Sequence, residues 1–245
     1  MSIIEDFKEH AKSVFPNEAV GVVKNGVYVP LENKSPDPSV TFLVDNDIFD
    51  NDDVTEILHT HTDGSIRPSY DDMKSQIALG IPMGIMGMYG DVETNEYSFS
   101  KIHYLGNLRA DYLGLPYIFG INDCYSLVRN WYYTQRNIEL LDFPRRWEFW
   151  KTENLLVDNA ERTGFKRISE NEVEVGDVFF CTFHGYGKNP VHMGVYIGDN
   201  MIVHHPSANK PVDFSRLSLQ EPIQRYMPSI THWYRYVGYN NATRI

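Results

Sequence analysis

Two groups of side chains in this 245-residue chain have the types and spacing of hydrolytic chemistry. His59 and His61 stand two residues apart at the end of an apolar segment, and the period of two in an extended chain aims both imidazoles to one side. Two such ligands can begin a zinc site, and a third protein ligand with a position left open to water makes such a site catalytic. Asp72 lies eleven residues later, in the first turn of a predicted helix, where it can return to the same point. Glu18 precedes a strand predicted for the same sheet, and a carboxylate beside the metal that does not bind it can serve as general base.

The second group centres on Cys124. It follows Asn122 and Asp123 at the start of a predicted helix, where free backbone N–H groups and the helix dipole favour thiolate. His192 opens a predicted strand that could cross that helix start and supply the base. His204, twelve residues further in the next strand, is placed to orient the His192 ring. His205 is the alternative third member, but adjacent strand residues face opposite ways, which favours His204. Cys181 alternates with Phe180 and Thr182 inside a strand and is expected to be structural.

The elements that must position these residues are legible in the periodicity. Ile3, Ile4, Phe7, Ala11, Val14 and Phe15 recur at helical spacing, and residues 18–33 predict a strand, a turn at Asn25-Gly26 and a second strand. A short strand over 54–58 runs into His59, and a helix follows with Ser69 as N-cap and Gly80 as its stop. Taken alone, Ser69 and Asp72 fit an S-x-x-D helix cap. Segments 82–90 and 96–105 have strand character. Past a boundary between Lys101 and Arg109 the texture turns aromatic and glycine-rich. A helix over 124–136, a second over 147–162 and three alternating segments of an antiparallel sheet complete the chain. The prediction is an α+β protein of two domains, 1–104 and 105–245.

Composition narrows the classes. Net charge is −11, from 33 acidic against 22 Lys and Arg side chains, which argues against nucleic-acid binding. The acidic run over 45–56 lacks the spacing of a calcium loop and reads as solvated surface. With 42% hydrophobic residues the chain can bury a core, yet it has no apolar run long enough to insert into a membrane. Its first residues lack the apolar stretch of a secretory signal, and its two cysteines do not make a disulfide framework.

The first group resembles the JAMM or MPN-type zinc metallopeptidases. Their signature of an upstream Glu, H-[ST]-H, seven residues, Ser, two residues and Asp falls on Glu18, His59-Thr60-His61, Ser69 and Asp72. The resemblance implies Zn²⁺ held by His59, His61 and Asp72, with Glu18 as general base and Ser69 stabilising an oxyanion. It also implies a mixed sheet with flanking helices. Thr62 stands where that family often has proline.

The second group looks like the NlpC-type cysteine peptidases, which cut peptidoglycan stem peptides. The matching residues are Gly114, Pro116-Tyr117 and Gly120, then Asp123-Cys124, Gly176-Asp177, His192-x-Gly194-x-Tyr196-x-Gly198, and His204. The resemblance implies a papain-like antiparallel sheet with helices, Cys124 as nucleophile, His192 as base, His204 as orienting group and Tyr117 as an active-site tyrosine. Tyr125-Ser126 stands where most bacterial members have Ser-Gly.

The pairing of the two domain types is similar to tail-tip proteins of lambda-like siphophages. That similarity implies a place at the virion tail tip after assembly in the host cytoplasm, other tail-tip proteins as partners, and peptidoglycan peptides as substrate. It also implies a role in tail assembly and cell-wall penetration. A structural assembly factor with vestigial sites and a bacterial cytoplasmic isopeptidase are the alternative readings.

Overall fold

The structure, a computed structural model, describes residues 2–49, 53–206 and 208–239. Part of the acidic run, residues 50–52, lies outside the described residues. The chain divides into two compact units, Met1–Asn107 and Leu108–Ile245. Both are α+β, one built on a mixed sheet and the other on an antiparallel one.

The first unit opens with α1 (Ile3–Val14), capped by the Ser2 side chain, which accepts from the Glu5 N–H. Its apolar stripe buries Phe7 and Ala11 against Val23, Tyr28, Leu58, Met86 and Met88. Burying a side chain the size of Phe7 contributes about 1.5–3 kcal/mol. Next come β1 (Val20–Lys24) and β2 (Val27–Leu31), joined through Asn25 and Gly26. Both turn residues have positive φ, as the tight hairpin turn requires. Then follow β3 (Val54–His61), α2 (Tyr70–Leu79), β4 (Met83–Asp91), β5 (Glu96–Phe99) and β6 (His103–Leu105).

The sheet order is β2-β1-β3-β4-β5, with β6 also on β4. β3 and β4 run parallel, and α2 is the crossover between them. The stretch expected as one strand over 96–105 is two. β5 pairs with the end of β4 and β6 with its start.

In the second unit β7 (Pro116–Ile118) precedes α3 (Cys124–Arg136). After α3 come α4 (Leu155–Ala160), β8 (Phe165–Ile168), β9 (Val178–Cys181), β10 (His192–Gly198), β11 (Met201–His204), β12 (Val212–Leu217), β13 (Leu219–Pro222) and β14 (Ile230–Tyr236). An antiparallel sheet runs β13-β11-β10-β9-β14-β8, and β12 pairs separately with β7.

The helix expected over 147–162 is not continuous. A 3-10 turn at Phe149–Lys151 and the short α4 replace it. Glu148 has φ +64°, which a right-handed helix does not tolerate. The aromatic side chains there pack on one another, with Trp147 edge-on to Phe119 and Trp150 at 5.4 Å each.

Candidate active sites

The first cluster forms where β3 ends and α2 begins. His59 and His61 project from the same face of β3, and their Nε2 atoms lie 3.1 Å apart. Asp72 approaches both, with Oδ1 3.4 Å from His59 Nε2 and Oδ2 3.4 Å from His61 Nε2. A tetrahedron with Zn–N and Zn–O bonds of about 2.0–2.1 Å has edges of roughly 3.3 Å, close to the three separations here, in which Asp72 reaches the two imidazoles through different oxygens. The donor set of two imidazoles and one carboxylate suits zinc chemically. Among the described residues this is the group of three that could hold a metal ion.

The position of Asp72 has a local cause. Ser69 is the N-cap of α2, its Oγ accepting from the Asp72 N–H at 3.0 Å while the Ser69 N–H donates to Asp72 Oδ2 at 2.7 Å. This capping box holds the carboxylate over the helix start, so the cap and the cluster are one arrangement. Because Ser69 Oγ accepts there, its hydroxyl proton remains available to donate. The Asp72 carboxyl lies far below its usual range, since the two imidazoles outweigh the effect of its burial.

Glu18 is 4% exposed and lines a cleft of about 180 Å³ together with His61 and Ser69. Its carboxyl is raised to about 7, chiefly by burial, with His61 opposing and Asp72 adding to the rise. The middle residue of the H-x-H triplet positions it. Thr60 Oγ1 accepts from the Ala19 N–H at 2.9 Å, and the Thr60 N–H donates to Ala19 O at 3.0 Å. Asn33 adds a second tie, its Nδ2 donating to Glu18 O. Thr62 donates to Ser39 O at 2.9 Å and so fastens a loop that borders the cleft.

The second cluster joins α3 to β10 and β11. Asp123 is the N-cap of α3, accepting from the Ser126 N–H and the Gly120 N–H. Cys124 is partly exposed, and the Met193 N–H pulls its thiol down. His192, the residue before Met193, is 1% exposed. His192 Nε2 faces His204 Nδ1 at 2.9 Å, whereas His192 Nδ1 is buried with no hydrogen-bond partner.

Gly194 makes this pairing possible. It lies opposite His204 in the ladder, and a Cβ at Gly194 would sit 2.7 Å from both His204 Cβ and the Phe179 ring. The glycine two residues after His192 is therefore a packing requirement of the pair of rings.

The thiolate expectation is corrected. Burial and the neighbouring Asp123 carboxylate push the Cys124 thiol up to about 12, outweighing Arg145 and the Met193 and Tyr125 N–H groups that pull it down. His192 is lowered well below 6.5, first by burial and then by His204 and His205. Both shifts favour the neutral thiol and the neutral imidazole.

Tyr117 is buried in β7, edge-on to Trp147 and to His205 at 5.1 Å. Its hydroxyl is held far above its usual range by burial and by Asp123 and Cys124. His205 lies beyond the end of β11 with neither ring nitrogen hydrogen-bonded, while His204 takes the place beside His192. Cys181 is fully buried and pairs across the ladder with His192. Asp177, of the Gly176-Asp177 pair, accepts from Arg235 at 2.9 and 2.8 Å and clips β14 to the turn before β9.

Two residues of this cluster carried no motif signal. Arg145 is 3% exposed and forks onto Asp123 at 2.7 and 3.1 Å while also pairing with Asp142. Glu221 Oε1 accepts from His204 Nε2 at 2.7 Å. Each reaches its partner across a long sequence separation, so no spacing rule could have found it.

Residues 114–231 match the model of the NlpC/P60 family, a segment inside the second unit that contains Tyr117, Cys124, His192 and His204. The second unit is thus similar to that family over most of its length. At the level of the chain, the similarity is to tail tip assembly protein K of Escherichia phage N15. The two are 28% identical over 214 residues, covering 82% of this chain and 83% of that protein. Among solved structures, an NlpC/P60 family protein from Bacillus cereus ATCC 10987 aligns at 18% identity and TM-score 0.35, over 96% of this chain and 67% of that one. The NlpC/p60 domain of peptidoglycan hydrolase SagA aligns at 17% identity and TM-score 0.34, over 51% of this chain and 89% of that one. Among the described residues no helix is long and apolar enough to cross a membrane.

Proposed function

We propose that this protein is a phage tail-tip component that hydrolyses peptidoglycan stem or crosslink peptides at Cys124 and carries a second, zinc-dependent peptidase site in its first unit. The observation that carries the cysteine reading is the bare, buried Nδ1 of His192 on β10, the strand against which α3 packs with Cys124 at its start. The similarity to a tail tip assembly protein supports the location, with other tail-tip proteins as partners.

In the cysteine reaction Cys124 sulfur attacks the peptide carbonyl carbon while its proton passes to His192 Nδ1. The C–N bond then breaks as His192 returns that proton to the leaving amine. Water attacks the thioester with His192 again accepting a proton, and the thiol is restored as the acid product leaves. His204 holds the imidazole ring throughout, as the third member of a triad does. Tyr117 packs beside Cys124 and helps bound the substrate.

In the first unit, His59, His61 and Asp72 would hold zinc, which supplies Lewis acidity and a more acidic water. Glu18 accepts the proton of the attacking water and delivers it to the leaving amine. Ser69 donates its free hydroxyl proton to the developing oxyanion. We infer that this first unit is a JAMM-type domain and the second a papain-like NlpC-type domain.

The test incubates the purified full chain and its Cys124→Ala variant with muropeptides, products being read by mass spectrometry and bound zinc by elemental analysis. Cleavage by the wild type alone supports the reading. A wild type that cleaves no muropeptide overturns the wall-hydrolase assignment.

A further inference from the structure

The two imidazoles of the cysteine site continue into a carboxylate. β13 lies beside β11 with Ile202 opposite Glu221 and His204 opposite Leu219, so Glu221 is the diagonal neighbour of His204. Glu221 Oε1 lies 2.7 Å from His204 Nε2 and also accepts from the Tyr226 hydroxyl at 2.9 Å. Its Oε2 is 3.7 Å from the Arg225 guanidinium, and the Tyr226 ring stands edge-on to His204 at 4.7 Å.

We propose that Glu221 is a positioning residue that selects the proton arrangement of the His192–His204 pair. This inference rests on the reading of Cys124 and His192 as nucleophile and base. A carboxylate oxygen can only accept, so the nitrogen facing it, His204 Nε2, carries the hydrogen. A neutral imidazole carries one ring hydrogen, which leaves His204 Nδ1 bare. That bare nitrogen is 2.9 Å from His192 Nε2, so His192 Nε2 carries its own hydrogen and donates it.

His192 Nδ1 is then the bare nitrogen, and it is the one with no protein partner. Without Glu221 the chain of donors can reverse. His204 would then donate from Nδ1, His192 would carry its hydrogen on Nδ1, and no base would face the thiol. Glu221 also offsets positive charge on the pair when His192 takes the Cys124 proton, and no proton need move onto Glu221 for this.

The titratable and charged groups facing the two imidazoles are His205 beyond β11, Glu221 on β13, and Arg225 and Tyr226 after it, while Asp123 and Arg145 bear on Cys124. Among these, Glu221 alone supplies an acceptor to His204 Nε2.

The experiment uses the full chain, Glu221→Gln and Glu221→Ala. Imidazole ¹⁵N shifts report the tautomers, and the pH profile of iodoacetamide modification at Cys124, resolved from Cys181 by peptide mass, reports the base. In the wild type both His192 and His204 should carry hydrogen on Nε2. Glu221→Gln retains an accepting oxygen and should keep the tautomers, with modification near neutrality slowed about tenfold and its rising limb moved to higher pH. Glu221→Ala should mix the tautomers and slow modification about a hundredfold.

Wild-type tautomers and an unchanged profile in Glu221→Ala overturn the proposal. If that variant does not fold, an unchanged rate and limb in Glu221→Gln overturn it instead. None of these measurements needs a substrate, so failure of the peptidase reading would appear separately, as a wild type that cleaves no muropeptide.

Discussion

Ser69 and Asp72 cap each other, and the carboxylate that closes their capping box is the same one that meets His59 and His61. A helix start and a candidate metal centre therefore share one side chain. The arrangement predicts that changes to the cluster separate into those that remove metal and those that remove chemistry.

Asp72→Asn should lose zinc, with affinity lowered at least about tenfold, because one charged ligand becomes a neutral amide. Glu18→Gln should keep a full equivalent and lose only metal-dependent turnover. Elemental analysis of both purified variants checks this, and parallel zinc loss in Glu18→Gln would remove Glu18 from the role of base.

The cysteine site predicts an unusual acid limb. His192 acts as base in its neutral form, and its ring is lowered well below 6.5 by burial and by His204 and His205. A lowered value keeps the base form dominant to more acidic pH, so activity should persist below pH 6.5 and fall only as His192 finally protonates. A kcat/KM profile with its limb at or above 6.5 would contradict the buried neutral ring.

Gly194→Ala should uncouple the two imidazoles. The new methyl group would lie 2.7 Å from His204 Cβ and the Phe179 ring, so one of them must move. Overpacking of this kind costs about 1–3 kcal/mol in denaturant unfolding. Peptide cleavage should fall more steeply than stability, because His204 and the Phe179 ring both pack against His192.

Arg145→Ala should be the most destabilising change near the nucleophile. It would leave the buried Asp123 without its cation, while Asp142 would keep Arg129. Breaking such a pair from one side costs about 3–5 kcal/mol, measurable by thermal or urea unfolding. A loss below about 1 kcal/mol would mean that water replaces the guanidinium.

Much of the candidate chemistry could be read along the chain because its placement is local. The period of two sets His59 and His61 on one side of β3, and the N-cap rules set Ser69, Asp72 and Asp123 at helix starts. The missing continuous helix over 147–162 had no such protection. Its apolar residues have helical spacing, but Trp147, Phe149 and Trp150 are used by an aromatic cluster that pulls the chain out of register.

Glu221 and Arg145 mark the other boundary of what a sequence can show. Glu221 meets His204 only because β13 folds back beside β11, and Arg145 meets Asp123 only because the segment after α3 returns to its start. The upward shift of the Cys124 thiol has the same kind of origin. A helix start favours thiolate, yet desolvation by surrounding side chains and the Asp123 carboxylate outweigh it.

Residue types, strand period and helix caps nominated Glu18, His59, His61, Asp72, Cys124, His192 and His204, and the family resemblances added the site roles of Ser69 and Tyr117. Which imidazole nitrogen is bare, what neutralises Asp123 and how far the thiol is desolvated were decided by tertiary structure. Those properties depend on distance and dielectric across segments that the chain order leaves far apart.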